Sequence, residues 1–168
     1  MVRDLINPIL SRRSIRKYTE EPIADKEIKT LLEAAMAAPS ASNRKPWHFI
    51  VISKKETLNQ LAEAHEHAKM LVEAALCISV CGDPDNSRYW VQDCSAATEN
   101  LLLAVTALGL GAVWCGVHPR PERVSIISKI LGIEAPIVPL NIIAIGHPAE
   151  EKEPRTQYDE NKVHREKW

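Results

Sequence analysis

Excess charge of either sign is missing from this chain. Twenty-one lysines and arginines stand against 22 aspartates and glutamates, a net −1 over 168 residues. Composition therefore builds in no nucleic-acid surface and no polybasic membrane patch, and any basic site must be local. Long apolar runs are missing too: none approaches the roughly 20 residues of a membrane span. The opening Met1-Val2-Arg3-Asp4 lacks the apolar core and cleavage site of a secretory signal, so a cytoplasmic protein without membrane association is expected. Cysteine is scarce, at four residues. Cys77 and Cys81 sit in an apparent strand, where four residues span roughly 13 Å, too far for a disulfide or a shared metal ion. Cys94 and Cys115 fall in other elements, and buried reduced thiols are expected.

What is present is ordinary globular material, 45% hydrophobic and 26% charged, enough for one domain with its own core. Asp25 can cap a helix carrying Ile28, Leu31, Leu32, Ala35 and Met36 on one stripe, which Pro39 ends. A polar loop bounded by prolines runs from Pro39 to Trp47, and Phe49 to Ile52 reads as a strand covered on both faces. Lys54 to about Val72 is helix-forming with a break inside; Leu76 to Cys81 is a strand, and Gly82 to Asn86 a turn-rich loop. Tyr89 to Leu108 is a long helix with many small and apolar positions, stopped by Gly109-Leu-Gly111. Ala112 to Val117 is extended, Pro121 to Leu131 helical and Val138 to Ile145 the last strand. Three or four buried strands separated by helices give helices packed around one sheet. Residues 149–168 are nearly all polar, with Val163 and Trp168 the chief exceptions; such a tail makes no core of its own.

The densest local chemistry is Ser11-Arg12-Arg13-Ser14-Ile15-Arg16. Three guanidinium groups and two hydroxyls in six residues form an anion receptor, since guanidinium matches phosphate oxygens bidentately. A solvated basic turn is the competing reading. Other motifs fall away on inspection. Gly109-Leu-Gly-Ala-Val-Trp-Cys-Gly116 follows a helix rather than a strand and lacks dinucleotide-fingerprint spacing, although its glycines permit close approach to a flat ligand. His65 and His67 would point to opposite faces of a helix, so solvated surface is expected there rather than a metal. No nucleophile elbow or Cys/His pair is legible. Chemistry in this chain is better carried by a cofactor than by side chains.

Four motifs taken in order resemble the flavin-dependent nitroreductase family over nearly the whole chain: Arg12 to Arg16 with Tyr18; Ala38-Pro-Ser-Ala-Ser-Asn-Arg-Lys-Pro-Trp-His-Phe49; Gln92-Asp93 with Asn100-Leu-Leu-Leu103; and Gly109 to Gly116. The resemblance implies an α+β fold, a three-layer α/β/α sandwich with a mainly antiparallel sheet. It implies a homodimer with FMN sites at the subunit interface, residues 1–148 forming the flavin-binding domain and 149–168 an arm packing on the partner. Arg12 and Arg16 would grip the FMN phosphate with Ser14 assisting and Arg13 close by. Pro39, Ser40, Ala41, Ser42 and Asn43 would line the flavin edge from the other subunit. Val113, Trp114, Cys115 and Gly116 would lie along the isoalloxazine, and Arg155 would return to the phosphate.

Two positions depart from the family pattern. Glu153 replaces a frequent lysine, with Lys152 one step away, and Lys45 replaces the common glutamine before Pro46. The short Gly82–Arg88 loop leaves little room for a lid, so residues near Tyr89, Trp90 and the partner's Trp47 loop would shape the substrate pocket. The implied activity is an NAD(P)H oxidoreductase. NADH or NADPH would reduce FMN at N5, and a nitroaromatic, quinone or activated alkene would take the electrons in a ping-pong cycle, with no side chain needed as acid or base. Alternatives are an FMN storage or regulatory protein, and specialised flavin chemistry.

Overall fold

Apolar strands without polar alternation need cover on both faces, and the two central strands of the sheet have it. A computed structural model describes residues 2–154 and 156–168; Arg155 lies outside the described residues. The helices are α1 (Val2–Ser11), α2 (Asp25–Met36), α3 (Lys55–Ala64), α4 (Trp90–Ala107) and α5 (Pro121–Leu131), and the strands β1 (Trp47–Ile52), β2 (Leu76–Gly82), β3 (Gly111–Gly116) and β4 (Val138–Gly146). Strand order is β1-β2-β4-β3, and every neighbouring pair is antiparallel.

Alternate residues of the two central strands enter different cores. Ile78, Val80, Ile143 and Ile145 meet Leu31 and Ala35 of α2 and Ala97 and Leu101 of α4. Cys77, Ile142 and Ala144 meet Leu58 and Leu61 of α3 and Ile127 of α5. The result is the expected α/β/α sandwich, with β2 buried along its whole length. The continuous apolar runs of β2 and β4 thus record two-sided cover in an antiparallel sheet, whereas β1, expected to be covered on both faces, is an edge strand with Val51 42% exposed and Phe49 and Ile50 only half-buried. Among the described residues no helix is long and apolar enough to cross a membrane.

Two local expectations are corrected. Asp25 is the first helical residue rather than the cap: Ala24 caps α2, its N–H donating to the Glu27 carboxylate at 3.0 Å. His65 is not helix surface. The break inside 54–72 falls on it, because α3 ends at Ala64 and a 3-10 turn resumes at Lys69–Val72. His65 there takes extended backbone angles and is only 1% exposed. A ring with two polar nitrogens can be buried only if both are satisfied, and both are, as described below.

Candidate functional site

The arginine stretch is fastened to the outer edge of the sheet. Ser14 makes a parallel bridge to Ala112, and the Ile15 N–H donates to the Ala112 carbonyl at 2.9 Å. Two glycines allow this docking. A methyl group on Gly111 would stand 2.7 Å from Ile15 Cγ2, and one on Gly146 would stand 2.9 Å from the Tyr18 ring. Tyr18 thereby lies flat on β4, its hydroxyl 2.6 Å from the Ile15 carbonyl and 3.2 Å from that of Ala144. Burial raises the phenol's pKa well above its ordinary value.

The polar segment after β4 turns back over the same stretch. The Ala149 N–H donates to Lys17 O at 2.9 Å, the Arg16 N–H to the Glu150 carboxylate at 2.6 Å, and Lys152 Nζ to Ser14 O at 2.6 Å. Arg13 donates to the Glu153 carbonyl. The hydrogen bond from Arg16 N–H, then Lys152, holds the Glu150 carboxyl below its usual range.

This fastening aims Arg16 into a cavity of about 390 Å³ beside Val113, Trp114, Cys115 and Gly116. His65, Lys69 and Arg123 complete its polar wall, together with Glu66. Arg123 pairs with the Glu66 carboxylate, and that hydrogen bond keeps Glu66 below its ordinary pKa. Arg123 Nη1 also reaches Gly116 O at 3.2 Å, and His65 Nε2 lies 2.9 Å from the same oxygen. Because His65 Nδ1 accepts from the His67 N–H at 3.1 Å, the ring proton belongs on Nε2 and donates to Gly116 O. Cys115 Sγ donates to His67 O at 3.3 Å, and burial pushes its thiol up to about 11, so it is neutral at physiological pH. A Cβ added at Gly116 would meet nothing within 4 Å: the floor of the cavity is bare backbone, open to a flat ligand.

The expected site residues do not all meet here. Arg16 and Val113 to Gly116 share the cavity. Arg12 instead pairs with Glu99 of α4, Nε to Oε1 3.2 Å. The Pro39–Asn43 loop lies at the α2–α4 side of the sheet, where Ala38 and Trp47 flank it in that core. Its Ala41 and Ser42 line a second cavity of about 460 Å³, shared with the turn from Pro84 to Tyr89. Sequence reasoning missed His65, Arg123 and the reach of Lys152, and left Lys69 unassigned. Nothing in the local pattern marks them, because the fold brings them to β3 from other parts of the chain. Among the described residues no group of three or more His, Cys, Asp or Glu could hold a metal ion.

Comparison with known proteins gives the family and the fold. The nitroreductase family model matches residues 9–76 and 66–147. A protein of Archaeoglobus fulgidus, provisionally named an NADH dehydrogenase/NAD(P)H nitroreductase, is 45% identical over 99% of this chain and 100% of its own length. The crystal structure of a like-named protein from Parabacteroides distasonis superposes with a TM-score of 0.96 at 42% identity, covering 98% of this chain and 99% of the other. A nitroreductase-like protein from Desulfovibrio desulfuricans, solved in complex with FMN, superposes with a TM-score of 0.83 at 30% identity, covering 98% and 97%. The chain belongs to the nitroreductase family.

Proposed function

We propose that this chain is an FMN-dependent NAD(P)H oxidoreductase acting on electron-poor acceptors such as nitroaromatics, quinones or activated alkenes. The observation that carries the reading is the open backbone of Gly116 beside Arg16 and Lys69 in one cavity. A flat anionic cofactor fits that donor set. When bound, FMN would supply the chemistry, receiving hydride from NADH or NADPH and delivering it to the acceptor at the same site. The chain's own part is electrostatic. Arg16 and Lys69 place positive charge beside β3, where it favours an electron-rich ring, and the Cys115 and Gly116 backbone lies where N–H groups can face that ring. Cys115, neutral and buried, is not an acid or base in this scheme.

Arg12 and Arg16 do not share the cavity, so we divide the phosphate assignment between them. Arg12, Arg13 and Ser14 serve the phosphate, and Arg16 serves the phosphate's ring-side approach and the ring. Lys152, sitting on Ser14 O, supplies the cation that Glu153 cannot.

The separation of the half-sites supports a homodimer. The Pro39, Ser40, Ala41, Ser42 and Asn43 loop lines a different cavity from its own β3 residues, and in this reading a second copy provides it. An exposed apolar face on α1 (Ile6, Ile9, Leu10) and an exposed Tyr158, Val163 and Trp168 in the arm are surfaces such a partner would cover.

The test is direct. Purified protein should show flavin absorbance that NADH or NADPH bleaches under anaerobic conditions. A colourless protein that FMN cannot reconstitute sinks the proposal, and bound FMN that nicotinamides leave oxidised would favour a storage role.

A further inference from the structure

We propose that Asp93 is a positioning residue: it fixes the Ser40–Asn43 loop in its cofactor-facing shape and locks that loop to the turn carrying Tyr89. The inference rests on the reading that this loop edges the FMN of a second copy. Asp93 lies in the first turn of α4 and is 5% exposed, so its carboxylate must be fully partnered inside the protein. It does not cap its own helix; Tyr89 holds the cap position, without a side-chain bond. Both oxygens instead point outward to other segments. Oδ1 accepts the Ala41 N–H at 2.8 Å, and Oδ2 accepts the Ser87 hydroxyl at 2.9 Å. Ser87 Oγ in turn accepts the Tyr89 N–H at 3.1 Å.

The loop needs such an anchor. Ser42, Asn43 and Lys45 all have left-handed backbone angles, φ 51°, 54° and 49°, a conformation that side-chain-bearing residues adopt only when surroundings over-determine it. Its other ties are local or run to another loop. Lys45 N–H donates to Ser40 Oγ, Arg44 Nη1 to Asn86 O at 2.6 Å, and Asn86 Nδ2 back to Arg44 O at 3.1 Å. Those bonds keep the two loops together, and the Asp83 N–H bond to Pro46 O at 2.9 Å seats their bases on the end of the β1–β2 pairing, which leaves the Ala41 end of the loop to Asp93. Asp93 belongs to an 18-residue helix packed in the core, and so references both loops to the sheet. One carboxylate thereby sets both walls of the 460 Å³ cavity, the cofactor-edge wall through Ala41 and the acceptor wall through Ser87.

The two oxygens should be separable by mutation. Asp93→Ala is expected to raise the Kd of the apoprotein for FMN, measured by fluorescence quenching, at least tenfold and to shift the visible flavin spectrum. Asp93→Asn keeps an acceptor for Ala41 and offers Ser87 Oγ a donor, so it should hold FMN within threefold of wild type. Ser87→Ala should leave FMN affinity within twofold and raise the acceptor KM at least threefold. A residue that merely stabilised the fold would move Kd and KM together with the apoprotein melting temperature. That parallel shift, or an Asp93→Ala protein with wild-type FMN affinity, overturns the proposal. If Asp93→Ala fails to fold, Ser87→Ala decides: KM must move without Kd. A wild-type protein that never binds FMN refutes the functional reading instead, before any variant is made.

Discussion

Adding one methyl group at Gly111 should dislodge the arginine stretch while leaving the core chemically unchanged. In a strand, Gly→Ala ordinarily stabilises by up to about 1 kcal/mol, because the unfolded chain loses freedom. Here the new Cβ would stand 2.7 Å from Ile15 Cγ2 and 2.9 Å from Ile15 Cβ. The second distance decides the outcome: a rotamer change can move Cγ2, whereas Cβ moves only with the backbone. That backbone is held by the Ile15 N–H bond to Ala112 O, 2.9 Å, on the strand that carries the substitution. Overpacking of this kind costs about 1–3 kcal/mol, enough to outweigh the entropic gain, and at this chain length lowers the melting temperature by about 2–4 °C per kcal/mol. Ser14 and Arg16 must shift with Ile15, so FMN affinity should fall about tenfold for each 1.4 kcal/mol of lost contact. A compensating Ile15→Gly in the same chain, which removes Cβ as well as Cγ2, should restore space, making the double mutant at least about 1 kcal/mol more stable than the sum of the single effects. Gly116→Ala, on the same strand, is the control: its Cβ meets nothing within 4 Å, so stability should hold or rise while cofactor binding is lost. Denaturant melts and FMN titrations of the four proteins settle it. Additive single effects at Gly111 and Ile15, or wild-type stability and affinity in Gly111→Ala, would refute the packing argument.

Tyr18→Phe removes the donor 2.6 Å from the Ile15 carbonyl in a buried setting, which should cost about 1–2 kcal/mol, read as a lower urea midpoint at constant slope. Alkaline pH should destabilise the fold through its thiols. Burial raises Cys115 and Cys81 to about 11 and Cys94 to about 12, against an ordinary 9.0. Since these folded values lie above the unfolded one, their contribution is complete below pH 9. It is lost as pH climbs toward 11–12, at up to about 1.4 kcal/mol per pH unit for each thiol. Melting temperature against pH, repeated on Cys81→Ala to flatten the slope, checks this.

Legibility in the sequence followed the range of the interaction. The β2 and β4 cores were readable because Ile78 and Val80 on one strand and Ile143 and Ile145 on the other lie in short continuous apolar runs, and α4 because its small residues repeat at helical spacing. Pro121 and Gly132 bounded α5 for the same local reason. The arginine stretch was visible as chemistry, but its division was not. Arg12 and Arg16 are four residues apart, and only the docking of Ile15 and Tyr18 on Gly111 and Gly146 separates their directions. His65 defeated the helical reading because its burial is decided by Gly116, 51 residues away. Lys152 could be noticed beside Glu153 without any sign that its ammonium would reach Ser14.

These anchors also bear on why cofactor and assembly should be linked. The exposed apolar face of α1 (Ile9 is 56% exposed) ends one turn before Arg12, and the groove beside it is walled by Ala34, Leu103 and Ala107 of α2 and α4. α4 carries Asp93 at its start and Glu99, the partner of Arg12, one and a half turns later. A second copy seated on α1 and α4 would therefore press on the helix that positions the Ser40–Asn43 loop and on the ion pair that restrains Arg12. Releasing Arg12 from an exposed ion pair costs about 1 kcal/mol at most, whereas a phosphate offers it a bidentate, charge-assisted contact worth more. On that balance a phosphate within its reach would displace Glu99. In the proposed homodimer, the loop supplied by the other copy then closes the far side of the ligand. Cofactor binding and subunit association would strengthen each other through one helix, so that added FMN raises the stability of the dimer with the logarithm of its free concentration above Kd.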